Sequence, residues 1–128
     1  MILVVGGIAS GKRTFVRSLG FSDGDMADAL LDEHPVVLNA QELVRDIDSA
    51  AGENATGLSG KGALPAGLVD RLAEKSVVAC VEVGSGVVPI DRGERIWRER
   101  AGRLTAELAQ RADRVVRMVC GIPVDLKA

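Results

Sequence analysis

A glycine-rich stretch near the N-terminus has the composition of a phosphate-binding loop. Glycines at its two ends allow backbone conformations that other residues avoid. The backbone N–H groups of such a loop can surround phosphate oxygens, while its lysine reaches the outer phosphates. The pattern predicts binding of a nucleoside triphosphate, GTP or ATP, through Gly6, Gly7, Ile8, Ala9, Ser10, Gly11, Lys12, Arg13 and Thr14.

The residue after the lysine departs from the usual pattern. A serine or threonine hydroxyl normally binds Mg²⁺ there, whereas this chain has Arg13. Thr14 lies about 100° further around a helix, so it cannot simply replace that hydroxyl. Two interpretations stay open: Arg13 supplies positive charge in place of the metal, or the site keeps binding but has lost metal-dependent chemistry. Mg²⁺ remains a candidate cofactor to which we assign no ligand.

A carboxylate, Glu82, lies near the end of the aliphatic run Val77–Val83. If this run is a strand, Glu82 stands at the edge of a sheet, where it can serve as a metal partner or as a general base. The alternative is a structural charge that ends the strand and contacts a helix N-terminus. Lys12 and Glu82 are thus both candidate catalytic residues.

The elements that must position these residues alternate between aliphatic strands and amphipathic helices, which predicts one α/β domain over residues 1–128 with a mainly parallel sheet flanked by helices. Ligands of such sheets bind at the carboxyl ends of the strands. The interval 52–63 is glycine-rich and predicts a mobile loop. Strands are predicted at Met1–Val5, Val36–Leu38, Val77–Val83, Arg114–Cys120 and Val124–Leu126, and helices at Lys12–Leu19, Met26–Leu31, Gln41–Ala50, Pro65–Glu74 and Glu94–Ala112.

Composition argues against several other classes of protein. The net charge of −2 predicts no general affinity for nucleic acid. No apolar run approaches the roughly 18 residues of a membrane span. Cys80 and Cys120 both lie in apolar segments, so we expect two buried free thiols. These features, and the absence of a signal-peptide pattern, predict a cytoplasmic protein.

A second block carries a family resemblance. It comprises the loop Glu82–Pro89, an arginine-rich helix containing Ala101-Gly102-Arg103, the step Ala112–Val115 and the turn Gly121–Pro123. With the N-terminal loop, this block resembles the bifunctional adenosylcobinamide kinase / adenosylcobinamide-phosphate guanylyltransferase family of cobalamin biosynthesis. Because family members are longer in the middle, the chain resembles a shortened and divergent member.

The resemblance implies a RecA-like P-loop fold, usually assembled as a homotrimer, that takes a corrinoid substrate. Two reactions are implied: phosphorylation of the hydroxyl of adenosylcobinamide, then transfer of GMP from GTP through a histidine. His34, the single histidine, is the candidate GMP acceptor, and a surface histidine before Pro35 is the alternative. Asn39 stands where the family has an acid. Together with Arg13, it leaves open a non-catalytic module that binds nucleotide or corrinoid.

Overall fold

The computed structural model of the protein describes residues 1–45, 64–82 and 92–128. The interval 52–63, with its predicted mobile loop, lies outside these ranges, as does most of the predicted loop after Glu82. Strands are β1 (Ile2–Gly6), β2 (Met26–Asp28), β3 (Val36–Leu38), β4 (Val77–Val81), β5 (Arg114–Val119) and β6 (Ile122–Lys127). Helices are α1 (Lys12–Ser18), α2 (Leu68–Ala73) and α3 (Arg92–Arg111), with 3₁₀ segments at Asp23–Asp25 and Ala40–Val44.

The described strands form one sheet in the order β2-β3-β4-β1-β5-β6. The first five strands are parallel, and β6 runs antiparallel to β5. This confirms the predicted α/β P-loop domain with a mainly parallel sheet. Since β4 lies between β1 and β3, the loop after β1 is separated by one strand from the residue that follows β3, as in a RecA-like arrangement. We call the edge at which the parallel strands end the carboxyl edge, and the opposite one the amino edge.

The core has two layers because successive side chains of a strand point to opposite faces of the sheet. Leu3 and Val5 of β1 point into the larger layer, which contains Leu72 of α2 and Leu104 of α3. Val4 points into the smaller layer. Burial of both faces explains why β1 is a continuous aliphatic run. The phosphate-binding loop begins where this buried strand ends, at Gly6.

The helices largely follow the amphipathic pattern. The long helix expected at Glu94–Ala112 is α3. The helix expected at Pro65–Glu74 is the shorter α2, and the residue before it, Gly67, has a left-handed backbone. The described part of Gln41–Ala50 is a 3₁₀ segment rather than an α-helix. No helix in the described ranges is long and apolar enough to cross a bilayer.

The segment Met26–Leu31 is not helical, so the prediction of a helix there was wrong. Its first three residues form β2, which pairs in parallel with β3. Ala29 then adopts a left-handed backbone with φ 53°. A short apolar segment does not distinguish helix from strand by its own pattern, and pairing with a neighbour decides. The correction places Asp28 at the carboxyl edge.

The turn between β5 and β6 also differs from expectation. Cys120 and Gly121 have φ of 51° and 78°, the signs of a two-residue type I′ hairpin turn. Cys120 is exposed at this turn, so the prediction that it is buried was wrong, whereas Cys80 is buried as expected. The edge strand starts earlier than predicted and includes Pro123, because an edge position tolerates the missing N–H.

The two cysteines should differ sharply in reactivity. Burial raises the pKa of the Cys80 thiol to about 12, so at about pH 8 the group is neither accessible nor ionised. We expect iodoacetamide to alkylate Cys120 in the native protein and Cys80 only after denaturation, as read by peptide mass spectrometry. A Cys120→Ser variant serves as the control, and rapid native labelling of that variant would contradict the packing of β4.

Candidate nucleotide-binding site

The loop between β1 and α1 folds back over the end of β1. Two of its residues, Ala9 and Gly11, have left-handed backbones with φ of 57° and 97°, and the Ser10 N–H donates a hydrogen bond of 3.3 Å to the Gly7 carbonyl. A non-glycine residue in this region of backbone space is uncommon. Such strained positions occur preferentially at binding sites, which fits the predicted role of the loop.

Close contact with the β5–β6 hairpin explains two of the loop glycines. A Cβ atom on Gly6 would lie 2.8 Å from the Met118 carbonyl oxygen, and one on Gly11 would lie 3.2 Å from the Cα of Gly121. The Gly121 N–H also donates to the Ser10 carbonyl at 3.0 Å. The loop is therefore held against the hairpin, and side chains at positions 6 and 11 would separate the two.

The Lys12 ammonium lies inside the loop. Its Nζ donates to the carbonyl oxygen of Gly7 at 2.6 Å and lies 3.4 Å from the Gly6 carbonyl oxygen. Burial lowers the pKa of Lys12, and the negative charge of the nearby Glu82 carboxylate opposes that shift. A phosphate that enters the loop can replace the carbonyl partners of this ammonium, because phosphate and carbonyl oxygens are both hydrogen-bond acceptors.

Two cavities meet at Ala9, Lys12 and Asn39. The first has a volume of about 330 Å³ and is also lined by Arg13 and Thr14, both of them exposed. A guanidinium has donors only and cannot ligate a cation. No carboxylate of the described residues lines this first cavity, so its chemistry suits an anion.

The second cavity, of about 560 Å³, opens towards β2 and α3. Its wall includes Lys12, Asp28 and Asn39, as well as Glu82 and Trp97. This space is continuous with the phosphate-binding loop. Positive and negative side chains, an amide and a large aromatic ring surround it. It adjoins the phosphate-binding loop at Ala9 and Lys12.

Asn39 and Asp28 are joined across neighbouring strand ends. Asn39 has a left-handed backbone with φ 52°, a conformation that asparagine tolerates better than most residues. Its Nδ2 donates to Asp28 Oδ1 at 2.7 Å, and its Oδ1 lies 3.4 Å from Gln41 Nε2. Asn39 thus follows the middle strand at the carboxyl edge, as the sequence predicts, and a carboxylate stands directly beside it.

Glu82 also lies at the carboxyl edge, but it has a cationic partner. Its Oε1 is 2.8 Å from Arg117 Nε, and its backbone N–H donates to the Gly6 carbonyl at 2.8 Å. Arg117 is on β5, on the far side of β1 from Glu82. No local pattern in the sequence indicates this ion pair, because the order of the strands decides which residues face each other.

A buried glutamine organises the wall of the second cavity. Gln41 Oε1 accepts the Val81 N–H at 3.0 Å, and the Gln41 carbonyl accepts the indole N–H of Trp97 at 3.0 Å. Arg45 lies 3.7 Å from the centroid of the Trp97 ring, a cation–π contact. A hydrogen bond to Glu42 raises the pKa of Arg45, which keeps the guanidinium charged.

His34 lies away from the phosphate-binding loop. It precedes β3 and is therefore at the amino edge, whereas the loop follows β1 at the carboxyl edge. Its Nδ1 is 2.7 Å from Asp32 Oδ1. Hydrogen bonds from the His34 backbone and ring lower the pKa of Asp32. The structure does not bring this histidine together with Lys12 and Glu82 within one chain.

Two residues of the site escaped sequence reasoning, Asp28 and Gln41. Asp28 was missed because Met26–Leu31 was interpreted as helical. The available signal was an apolar pair followed by an acid, which equally fits a short strand ending at a site. Gln41 carried no signal, since only packing against Val81 and Trp97 makes it buried.

The sheet order, the loop between β1 and α1 and the position of Lys12 define an α/β P-loop protein. The chain belongs to the cobinamide kinase / cobinamide phosphate guanyltransferase family, whose model matches residues 37–126. It is also similar to the bifunctional adenosylcobalamin biosynthesis protein CobU of Salmonella typhimurium, with 44% identity over 57 residues. That alignment covers 44% of this chain and 32% of the relative, so the matched segment spans about a third of the relative's length.

The packing of the loop generates a prediction about its glycines. Gly11→Ala should lower the free energy of unfolding by about 1–2 kcal/mol, because an L-residue is strained in the left-handed region, and the new Cβ would press on Gly121. Urea denaturation measures the change. Gly7→Ala is the matched control: a Cβ there meets nothing within 4 Å, so we expect a change within about 0.5 kcal/mol. Equal effects of the two substitutions would count against the contact with the hairpin.

Proposed function

We propose that this chain is a nucleoside-triphosphate-dependent transferase of cobalamin biosynthesis that transfers a phosphoryl or nucleotidyl group from GTP or ATP to cobinamide or its phosphate. The observation that carries the proposal is the placement of Lys12 between a phosphate-sized loop and a larger polar cavity. Family membership supports the corrinoid acceptor. We also propose that residues 1–128 act as a single domain.

In the proposed reaction the loop binds the triphosphate. Backbone N–H groups of Gly7–Lys12 bind the phosphate oxygens, and the Lys12 ammonium moves from the Gly7 carbonyl to the outer phosphates. Phosphoryl transfer depends almost entirely on positioning and charge neutralisation. Arg13, exposed beside the first cavity, adds a second fixed positive charge there.

The usual magnesium position does not fit the residues of this chain. Mg²⁺ prefers oxygen ligands in octahedral geometry, whereas the position after Lys12 carries a guanidinium. The described wall of the first cavity offers the hydroxyls of Ser10 and Thr14 and the Asn39 amide but no carboxylate. We therefore assign the charge neutralisation to Lys12 and Arg13 and derive no step through a metal.

Guanylylation of His34 stays a prediction with a geometric condition attached. His34 is at the amino edge and the phosphate-binding loop is at the carboxyl edge, with the five residues of β1, about 16 Å of strand, between the two edges. A nucleotide bound in the loop of the same chain cannot pass GMP to it directly. Transfer to His34 requires a nucleotide bound at the amino edge or in another subunit.

The second candidate function is a non-catalytic module that binds nucleotide or corrinoid. Arg13 in place of the hydroxyl and Asn39 in place of the acid favour it, because both changes remove conventional metal contacts. Family membership favours the transferase. Turnover of adenosylcobinamide with GTP or ATP decides between the two candidates.

We further propose a cytoplasmic homo-oligomer, with a trimer as the expected state. Support comes from the family resemblance and from the exposed apolar side chains at the β5–β6 edge of the sheet. Ile122 and Leu126 of β6 are 63% and 61% exposed, and contiguous apolar surface of this kind commonly marks contacts between protein chains.

Removal of the Lys12 ammonium tests nucleotide binding. Lys12→Ala should weaken GTP or ATP binding about 10- to 100-fold, the value of a charge-assisted hydrogen bond, as measured by isothermal titration calorimetry. Lys127→Ala is the control for loss of one lysine, because that ammonium contacts the carbonyls of Ala109 and Gln110 instead. If wild-type protein binds neither nucleotide at millimolar ligand, the proposed function fails.

Replacement of Arg13 tests whether a side chain has taken over the role of the metal. Wild-type protein should bind nucleotide nearly equally with Mg²⁺ and with EDTA, because Arg13 already neutralises the phosphates. Arg13→Ser should bind about tenfold more weakly in EDTA and recover in Mg²⁺, since serine restores a hydroxyl that can ligate the ion. A wild-type affinity that collapses in EDTA would refute this assignment.

A further inference from the structure

The acid that the resemblance leads one to expect after β3 is replaced by Asn39, yet a carboxylate is present one strand away. Asp28 is the last residue of β2 and pairs with Leu38, the residue before Asn39. Both Asp28 and Asn39 line the second cavity together with Lys12. This edge of the sheet therefore still carries a carboxylate, on the strand next to β3.

Asp28 and Glu82 are two acids at strand ends that line this cavity. Their partners differ. Glu82 is held by the Arg117 guanidinium, whereas none of the ion pairs among the described residues includes Asp28. Asp28 Oδ1 accepts a hydrogen bond from the neutral amide of Asn39. Asp28 is exposed, so its Oδ2 remains accessible to an incoming hydroxyl, whereas the Glu82 carboxylate is already engaged by the Arg117 guanidinium.

The position of Asp28 across the sheet suits the acceptor rather than the nucleotide. Asp28 stands three strand spacings from β1, about 14 Å, and Asn39 stands two, about 10 Å. The phosphates bound above β1 lie closer to Asn39. Asp28 lies further from β1, in the wall of the second cavity, where an acceptor beside the terminal phosphate would bind.

We propose that Asp28 is the general base for the acceptor hydroxyl and that Asn39 is the residue that positions it. This inference rests on the proposed function. The hydroxyl oxygen attacks the γ-phosphorus while its proton passes to Asp28 Oδ2. The new O–P bond forms as the bond from the γ-phosphorus to the bridging oxygen breaks, and that oxygen leaves with its electron pair on the nucleoside diphosphate.

Asn39 performs the positioning by its left-handed backbone. With φ 52° and ψ 44° the residue turns sharply after β3, which allows its side-chain amide to reach Asp28 Oδ1 at 2.7 Å. The donor fixes one oxygen, and because Asp28 is exposed the other oxygen stays accessible to a substrate. An acid at position 39 would repel Asp28 instead, so the amide and the displaced carboxylate belong together as a pair.

The test compares Asp28→Asn with wild-type protein in adenosylcobinamide phosphorylation by GTP and by ATP. The variant is isosteric and retains an oxygen for the Asn39 amide, so circular dichroism and the melting temperature should stay unchanged. We expect kcat to fall about 100-fold or more, the usual contribution of a general base, with nucleotide affinity within twofold of wild type. Wild-type protein should lose rate at acidic pH as its base becomes protonated, this loss should be absent from the variant, and Asp28→Glu should recover part of the rate.

Asp23→Asn is the matched control. Asp23 is an exposed acid before β2 that pairs with Arg17, outside the cavity, and this variant should keep the wild-type rate. An Asp28→Asn variant with kcat within threefold of wild type, or with an unaltered acidic limb, overturns the assignment of Asp28 and leaves the transferase function standing. Wild-type protein that binds nucleotide but phosphorylates no adenosylcobinamide overturns both.

Discussion

The hydrogen bonding of β1 between β4 and β5 is the constraint on which the candidate site depends. Through this pairing Gly6 lies beside Val81 on one side and Met118 on the other, so the loop after β1 begins between two fixed strand ends. The hairpin after β5 then closes on the loop, with the Gly121 N–H bonded to the Ser10 carbonyl. A phosphate cradle needs backbone donors that already point inward, and these contacts hold the loop in shape without a ligand.

Left-handed residues recur where the strands end. Ala9, Ala29, Asn39 and Cys120 have positive φ, and each follows a strand at the carboxyl edge. Each conformation costs free energy, which the paired strands on either side offset. The common result is a sharp turn that brings polar groups of separate strands into one cleft. The strained residues, the loop and the polar cavity thus all lie at the carboxyl edge. Ligand sites of parallel α/β folds lie at this edge as well.

Charge is distributed around this edge in an uneven way. Cations face the first cavity and charges of both signs face the second, where, among the described residues, Glu82 pairs with Arg117 and Asp28 bonds to the Asn39 amide. The two carboxylates, at strand ends separated by β3, consequently differ in their partners, because among the described residues a guanidinium compensates Glu82 but not Asp28. An asparagine at position 39, where the resemblance implies an acid, is coherent in this setting, since its amide donates to the Asp28 carboxylate.

The sequence by itself determined the phosphate-binding loop, the aliphatic central strands and the long helix α3, because each depends on a local pattern of glycines or apolar residues. It also carried the family resemblance. Tertiary structure decided that Met26–Asp28 is a strand, that Cys120 is exposed, that Arg117 holds Glu82, and that His34 stands at the opposite edge from Lys12. Those outcomes depend on which strands lie next to one another, and pairing between segments distant in the chain leaves no local pattern to detect.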